Sequence, residues 1–409
     1  MKLTLREQLS RFSHLLQSAL FPVLEDEIGE LGETARRLVA ILELIPLERF
    51  VPSSRGWNGR PRRDRHAIAS AFVAKAIYSL PRTTDLLERL RSDAQLRLIC
   101  GWKRDEALPH ESTFSRAFAG FAQMELPQLV HEALVRETQK DRLIGHIARD
   151  ATAIEAREKF PETTEQKAEK EQTRQAGKAK RSKGKRGPHG PHKRWKGGKP
   201  QAARRQDTRL HRQRNMKLAD MLKELPRECS IGVKTSSKGH RQYWRGYKLH
   251  LDVADGQIPV SAVLTGANVH DSQVAIPLAT MSSGRVQYCY ELMDSAYDAA
   301  EILEHSREAG HVAIVDPANR GRQKKKKKGE KGEKGAGSST VRLARELSWA
   351  ESDRFRERTM VERVYGRLKD EFGGRNIRVR GASKVMAHLM FGVLALTADQ
   401  ILKLGRGSS

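Results

Sequence analysis

Apolar positions recur at helical spacing through residues 1 to about 140, as in Ala67-Ile68-Ala69-Ser70-Ala71-Phe72-Val73 and Leu126-Pro127-Gln128-Leu129-Val130. A period near 3.6 gives a helix one apolar side, so this stretch predicts an all-helical region. Pro81 and Pro109 punctuate it, and Ser112 or Thr113 is placed to cap a helix carrying Phe114, Phe118 and Phe121. The pattern then changes. Gly145 to Ile154 reads as a strand, and Tyr247 to Val253 as another. Asp255-Gly256 is a hairpin turn leading to a partner strand over Ile258 to Leu264. A helix follows from Ser272 to about Met281, then a buried strand from Tyr288 to Met293 that ends at Asp294. Asp298-x-x-Glu301 has the spacing of a capping box, and His311 to Val315 is a last short strand. Two helices, about Ser352 to Phe372 and Lys384 to Leu404, close the chain.

This order predicts an α/β core, a mixed sheet flanked by helices, preceded by an all-α N-terminal domain. The boundaries are 1–140 for the helical domain and 141–409 for the α/β domain. Basic low-complexity inserts interrupt the latter at about 156–235 and 320–345. From Lys178 to Arg214 there are 15 Lys or Arg and one acid, Asp207. Such a segment cannot bury a core and is expected to be disordered without a polyanion. Lys324 to Lys328 opens the second insert.

Charge sharpens the picture. Lys and Arg number 76 against 50 acids, a formal net charge of +26. That favours a polyanionic partner, nucleic acid first. Cys100, Cys229 and Cys289 have neither disulfide nor zinc spacing, so they read as free thiols. No apolar leader and no unbroken apolar run of membrane length is evident, which points to a soluble cytoplasmic protein, nucleoid-associated, with no membrane.

Cutting a phosphodiester by the two-metal route needs carboxylates converging on divalent cations. Asp150 on the first strand, Asp294 at the end of a later one and Glu362 on the helix after the last strand are the candidates. Phe355, Arg358, Glu362, Tyr365 and Lys369 are spaced 3, 4, 3 and 4, which sets all five on one helix face. A face with Arg, Glu, Tyr and Lys suits metal and phosphate oxygens. An exposed helix laced by the Arg358–Glu362 pair would show the same spacing.

Phe355-x2-Arg358-x3-Glu362-x6-Lys369 resembles the Y-x2-R-x3-E-x6-K signature of bacterial insertion-sequence DDE transposases, the IS-four and IS-five-like groups, with Phe in place of Tyr. Arg149-Asp150-Ala151-Thr152 resembles the family's first-Asp strand, and Asp294-Ser295-Ala296-Tyr297-Asp298 its second-Asp block. Gly246 to His250, Asn268 to Ser272 and Asp316 to Arg320 are similar to further blocks in the family's order, and residues 55–121 to its helical N-terminal domain. The resemblance implies an RNase H-like catalytic core and Mg²⁺, with Mn²⁺ as a substitute. It implies Asp150, Asp294 and Glu362 as catalytic metal ligands. The partners it implies are transposon-end DNA and target DNA, bound by a homodimer on paired ends. DNA contacts are expected from Arg358, Tyr365, Lys369 and Lys248, and in the N-terminal domain from Arg60, Arg62 and Arg116.

Blander readings stand beside these. Asp298 competes with Asp294 and is read as the helix cap. Asp271 is expected to cap the helix after it, with a substrate-orienting role as the alternative. Lys248 and His250 share a strand face that either approaches DNA or is an ordinary polar face. Asp252 and Asp255 are expected on the strand surface and in the turn. Two other functions fit the same residues: an RNase H-like nuclease that cuts without joining, and a non-enzymatic basic DNA-binding protein.

Overall fold

The computed structural model describes residues 4–51, 65–103, 107–158, 208–235, 240–316 and 347–406. Arg60 and Arg62, the basic tract up to Asp207 and the run Lys324 to Lys328 lie outside the described residues.

Helical periodicity becomes a layer of helices. α1 (Leu5–Leu15) opens on a capping box between Thr4 and Glu7 and passes through a π turn at Leu16–Leu20 into α2 (Phe21–Ile28). α3 (Glu33–Leu44), α4 (Arg65–Ile77), α5 (Thr83–Ser92), α6 (Ala94–Ile99), α7 (Glu111–Gln123) and α8 (Leu126–Gln139) follow. The cap of α7 is His110, whose ring accepts from the Ser112 N–H, rather than Ser112 or Thr113. Pro109 holds the preceding chain extended, so the helix starts earlier than the hydroxyls suggest.

The α/β region begins with β1 (Leu143–Glu155), then α9 (Arg209–Gln213), α10 (Leu218–Glu224), β2 (Ser230–Thr235), β3 (Arg241–Ala254) and β4 (Ile258–Gly266). α11 (Ser272–Ser283), β5 (Gln287–Met293), α12 (Ala300–Glu308) and β6 (Val312–Val315) follow. α13 (Trp349–Phe355), α14 (Thr359–Asp370) and α15 (Ala382–Arg406) close the chain. The expected insert at 156–235 is therefore too long at its C-terminal end. Gln213 is buried and bonds the Gln273 carbonyl, and Arg214 pairs with Glu304 and Glu308, so residues from Thr208 onward are part of the fold.

The described strands form one mixed sheet. β3 lies antiparallel to β1 and to β4, β5 runs parallel to β1, and β6 runs parallel to β5. β2 pairs with the first half of β3 only, Ser230 to Thr235 against Gly246 to Arg241. The change of partners falls at Gly246, whose φ is +150° and where a Cβ would lie 2.0 Å from the Ile154 carbonyl oxygen. α11 and α12 cover one face of the sheet, packing Ala275, Ile276 and Ile302 against Met293. α14, α15 and the N-terminal helices cover the other, against Ile154, Leu249 and Leu251.

α15 does not belong to the sheet region alone. One core runs from Leu9 of α1 to Leu402 of α15. Phe391 of α15 lies 5.7 Å from Phe72 and 6.5 Å from Phe121, ring centre to ring centre. His131 of α8 joins Pro259 O of β4 at 3.1 Å and Thr397 Oγ of α15 at 3.2 Å. A boundary at residue 140 therefore cuts through a shared core. Ala382–Gly405 is apolar and long enough to cross a membrane, yet 83% of its apolar window is buried inside the protein. The sequence scan missed its length because Lys384, His388 and Asp399 interrupt the apolar run.

Candidate active site

Successive residues of β1 point to opposite faces, so Arg149 and Asp150 part company. Asp150 faces the α14 side, opposite Leu251 of β3. Parallel pairing sets Arg149 beside Met293, so Asp150, within β1, and Asp294, just past the end of β5, each follow directly on one of two paired residues. Asp294 caps the short 3-10 turn Ser295–Tyr297, accepting from the Ala296 N–H at 2.9 Å. Asp298 is not the cap expected of it. α12 begins at Ala300 with Ala299 in the cap position and no side-chain cap bond. Glu301 then lies two residues after the cap, and a box needs three.

The polar helix is two helices. A 3-10 turn, Arg356–Arg358, separates α13 from α14. Arg358 sits at that joint and reaches both ways: Nη2 is 2.6 Å from Glu362 Oε1, and Nη1 is 3.8 Å from Asp150 Oδ2. Further along α14, Tyr365 is 5% exposed. Its hydroxyl donates to the Asp150 carbonyl at 2.6 Å and accepts from the Leu251 N–H at 3.1 Å. The expectation of a phosphate-facing Tyr365 is thereby corrected: the ring fastens α14 to β1 and β3. Lys369 Nζ lies 2.6 Å from Thr152 Oγ, again toward β1. The shared face is real, but much of it is turned to the sheet.

Burial pushes the Asp150 carboxyl up to about 6. Asp294 and Asp271 add repulsion, while the Ala151 N–H and Arg358 oppose it. Asp294 is also raised, first by burial, then by Asp271 and Asp316. Asp271, expected as a cap, makes no cap bond. It pairs instead with Lys248 at 2.9 Å, while Lys248 also bonds the Val269 carbonyl at 3.0 Å. Asp316 follows β6, and its N–H donates to Met293 O at 3.1 Å, which sets it beside Asp294. Sequence reasoning missed Asp316. Its signal was available, since it too ends a strand.

Beneath Asp150, on the opposite face, Arg149 is fully buried. It bonds both oxygens of Asp252 at 2.8 Å and Glu291 at 3.2 Å. Ser282 donates to Asp252 at 2.7 Å and Tyr288 to Glu291 at 2.8 Å. Asp252, expected at the strand surface, is completely buried. Asp255 is in its turn as expected and accepts from the Gly145 and His146 N–H groups. His250 is buried against Thr265 Oγ at 2.9 Å, while Lys248 on the same strand face keeps part of its side chain exposed. Arg116 is exposed on α7.

The donors around Asp150 are carboxylate oxygens, which suit a hard divalent cation. Their mutual repulsion is the deficit such a cation would relieve, and Arg358 already lies as a positive group between Asp150 and Glu362. Yet among the described residues no three Asp, Glu, His or Cys side chains stand grouped closely enough to hold a metal ion. Asp150 and Asp294 are together, and Glu362, about half exposed, is held by Arg358.

Residues 223–398 match the family model of the Transposase DDE domain. Residues 23–119 match that of the Transposase domain (DUF772). Neither a curated protein nor a solved structure matches the chain.

Proposed function

This chain belongs to the insertion-sequence DDE transposases, and on that premise we propose that it cuts DNA at the ends of its element and joins the freed 3′ ends to target DNA. The DDE domain implies an RNase H-like fold, divalent metal ions and DNA as the partner. Mg²⁺ is the proposed ion, held by Asp150, Asp294 and Glu362. When bound, it would activate the attacking oxygen and stabilise the leaving one.

The observation that carries this reading is that Asp150 and Asp294 directly follow the paired residues Arg149 and Met293 of adjacent parallel strands, with Glu362 one guanidinium away. The remaining steps belong to the protein's own side chains. Arg358 neutralises Asp150 and Glu362 while no DNA is present, which keeps like charges from splaying the site apart. A DNA phosphate would draw the guanidinium to itself, since charge-assisted bonds to phosphate are bidentate and strong. Glu362 is then released toward Asp150. Tyr365 holds α14 in place while this exchange occurs. Lys248 fixes Asp271 behind the two aspartates. Two chains, one on each element end, would complete the assembly.

The test is strand transfer with DNA ends taken from the sequence that flanks the gene. Asp150→Asn, Asp294→Asn and Glu362→Gln should each lose cleavage and joining and keep DNA binding. Substantial Mg²⁺-dependent cleavage by any one variant removes that residue from the trio. Cleavage by the parent chain without joining would make it a nuclease.

A further inference from the structure

A cavity of about 530 Å³ opens between the helical layer and the elements that carry the acidic site. Its lining includes Lys75 of α4, Arg82 at the start of α5, Arg157 just beyond β1 and Arg378 between α14 and α15. Glu111 is its one acid among the described residues. Lys75 is only 7% exposed, and among the described residues its ammonium has one hydrogen-bond partner, the Pro81 carbonyl at 3.3 Å. An ammonium has three protons to give, more than the Pro81 carbonyl takes up. Burial pushes Lys75 down to about 8, with only Asp85 opposing, the state of a cation that lacks a close anion. The three arginines are different: Arg82, Arg157 and Arg378 are exposed and form a rim. Thr84 and Ser115 add hydroxyls to the wall. A buried ammonium under three guanidinium groups matches phosphate oxygens in charge and in donor geometry.

We infer that this cavity binds the phosphodiester backbone of the DNA that runs through the acidic site, and so sets its register. The inference rests on the DNA-cutting reading given above. A free phosphate could satisfy the same groups, but the rim is open and its arginines come from three separate segments, which suits an extended polyanion. Arg157 is seven residues from Asp150 along the same chain segment, at most about 25 Å when extended. At about 3.4 Å per base pair, the contacted phosphates lie within roughly seven base pairs of the cut.

The experiment uses the full chain carrying Asp150→Asn, which separates binding from cleavage. Binding to element-end DNA is followed against salt, and the contacted phosphates are mapped by ethylation interference. Arg157→Gln with Arg378→Gln changes exposed side chains only. It should lower the slope of log affinity against log salt by about 2, at about 0.9 per phosphate. It should also erase interference at a confined set of phosphates within about seven base pairs of the cut. Lys75→Met should erase the same phosphates. Lys223→Gln with Arg307→Gln, on the other layer, is the charge-matched control and should leave slope and map as in the parent. Inorganic phosphate should compete only as salt does. An unchanged slope and map in the rim variant, or an equal drop in the control, overturns the inference while DNA binding by the parent stands. Saturable phosphate binding lost in the rim variant, without a change in the DNA map, makes the cavity a small-anion site instead. No DNA binding by the parent would sink the DNA-cutting reading itself, and this inference with it.

Discussion

The hydroxyl of Tyr365 donates to the backbone carbonyl of Asp150 at 2.6 Å, which ties the helix carrying Glu362 to the strand carrying the first aspartate. The same oxygen accepts from the Leu251 N–H at 3.1 Å, so one side chain bridges β1 and β3 from α14. Tyr365→Phe keeps the ring and deletes the bridge. Leaving those buried backbone groups unpaired costs about 1–3 kcal/mol. Stability should fall by that amount, and turnover should fall further than DNA affinity because Glu362 loses its fixed relation to Asp150. Equal losses in both would make the tyrosine a stability residue only.

Arg358 holds Glu362 at 2.6 Å and stands 3.8 Å from Asp150, in the position a cation would neutralise. Arg358→Ala should therefore tighten Mn²⁺ binding in the absence of DNA, read by electron paramagnetic resonance, and weaken strand transfer. A charge-assisted phosphate contact contributes about 1.5–3 kcal/mol, roughly 10- to 150-fold. Weaker Mn²⁺ binding in the variant would mean that Arg358 builds the metal site rather than competing for it.

How far could these arrangements be read from the residues alone? The strands bearing Asp150 and preceding Asp294 follow from apolar runs that end in polar turns, because that pattern is local. Asp252 was misplaced because alternation treats a charged strand residue as outward-facing. Only the register that sets Arg149 opposite Asp252 reveals a buried pair. The cap assignments at Asp298 and Ser112 failed because helix starts depend on the preceding backbone as well as on spacing, while Asp271 holds the cap position but turns its carboxylate to Lys248. The role of α15 was illegible for a different reason. Its apolar face says that it is buried, and nothing in its spacing says against which helices.

That last point makes a prediction about fragments. Phe391 packs on Phe72, Phe118 and Phe121, so the N-terminal helices lack part of their core without α15. Phe391→Ala should cost about 3–5 kcal/mol. A 1–140 fragment should show a loose, poorly cooperative thermal transition, and adding residues 382–406 as a separate peptide should sharpen it. A cooperative transition in 1–140 alone would restore an independent N-terminal domain.

His131 gives the same core a pH dependence. Burial, with Arg285 adding repulsion, pushes its imidazole down to about 3 against the Pro259 carbonyl. A base with a depressed folded pKa stabilises the fold above its unfolded value, near 6.5, and loses that contribution as pH falls toward 3. The loss is on the order of 5 kcal/mol across that window. His131→Asn should be less stable at pH 7 and lose less on acidification. Parallel stability curves for the two proteins from pH 7 to 4 would show that His131 is not buried neutral.

The buried charges under the site offer the sharpest test of its support. Arg149 is enclosed by Asp252 and Glu291, each at most 1% exposed, on the face of β1 opposite Asp150. Taking three charges out of water is costly, and the geometry repays it only while the set is complete. Arg149→Met leaves two carboxylates buried with hydroxyl partners such as Ser282 and Tyr288, at a cost of about 3–5 kcal/mol. Arg149→Lys removes the two-pronged contact with Asp252 and should recover only part of the loss. Replacing the set together, Arg149→Met with Asp252→Leu and Glu291→Leu, should regain most of the stability, because no charge is left unpaired. Urea denaturation decides between the variants. A triple variant no more stable than Arg149→Met would mean that the set acts through its shape, and that apolar side chains cannot fill the space under Asp150.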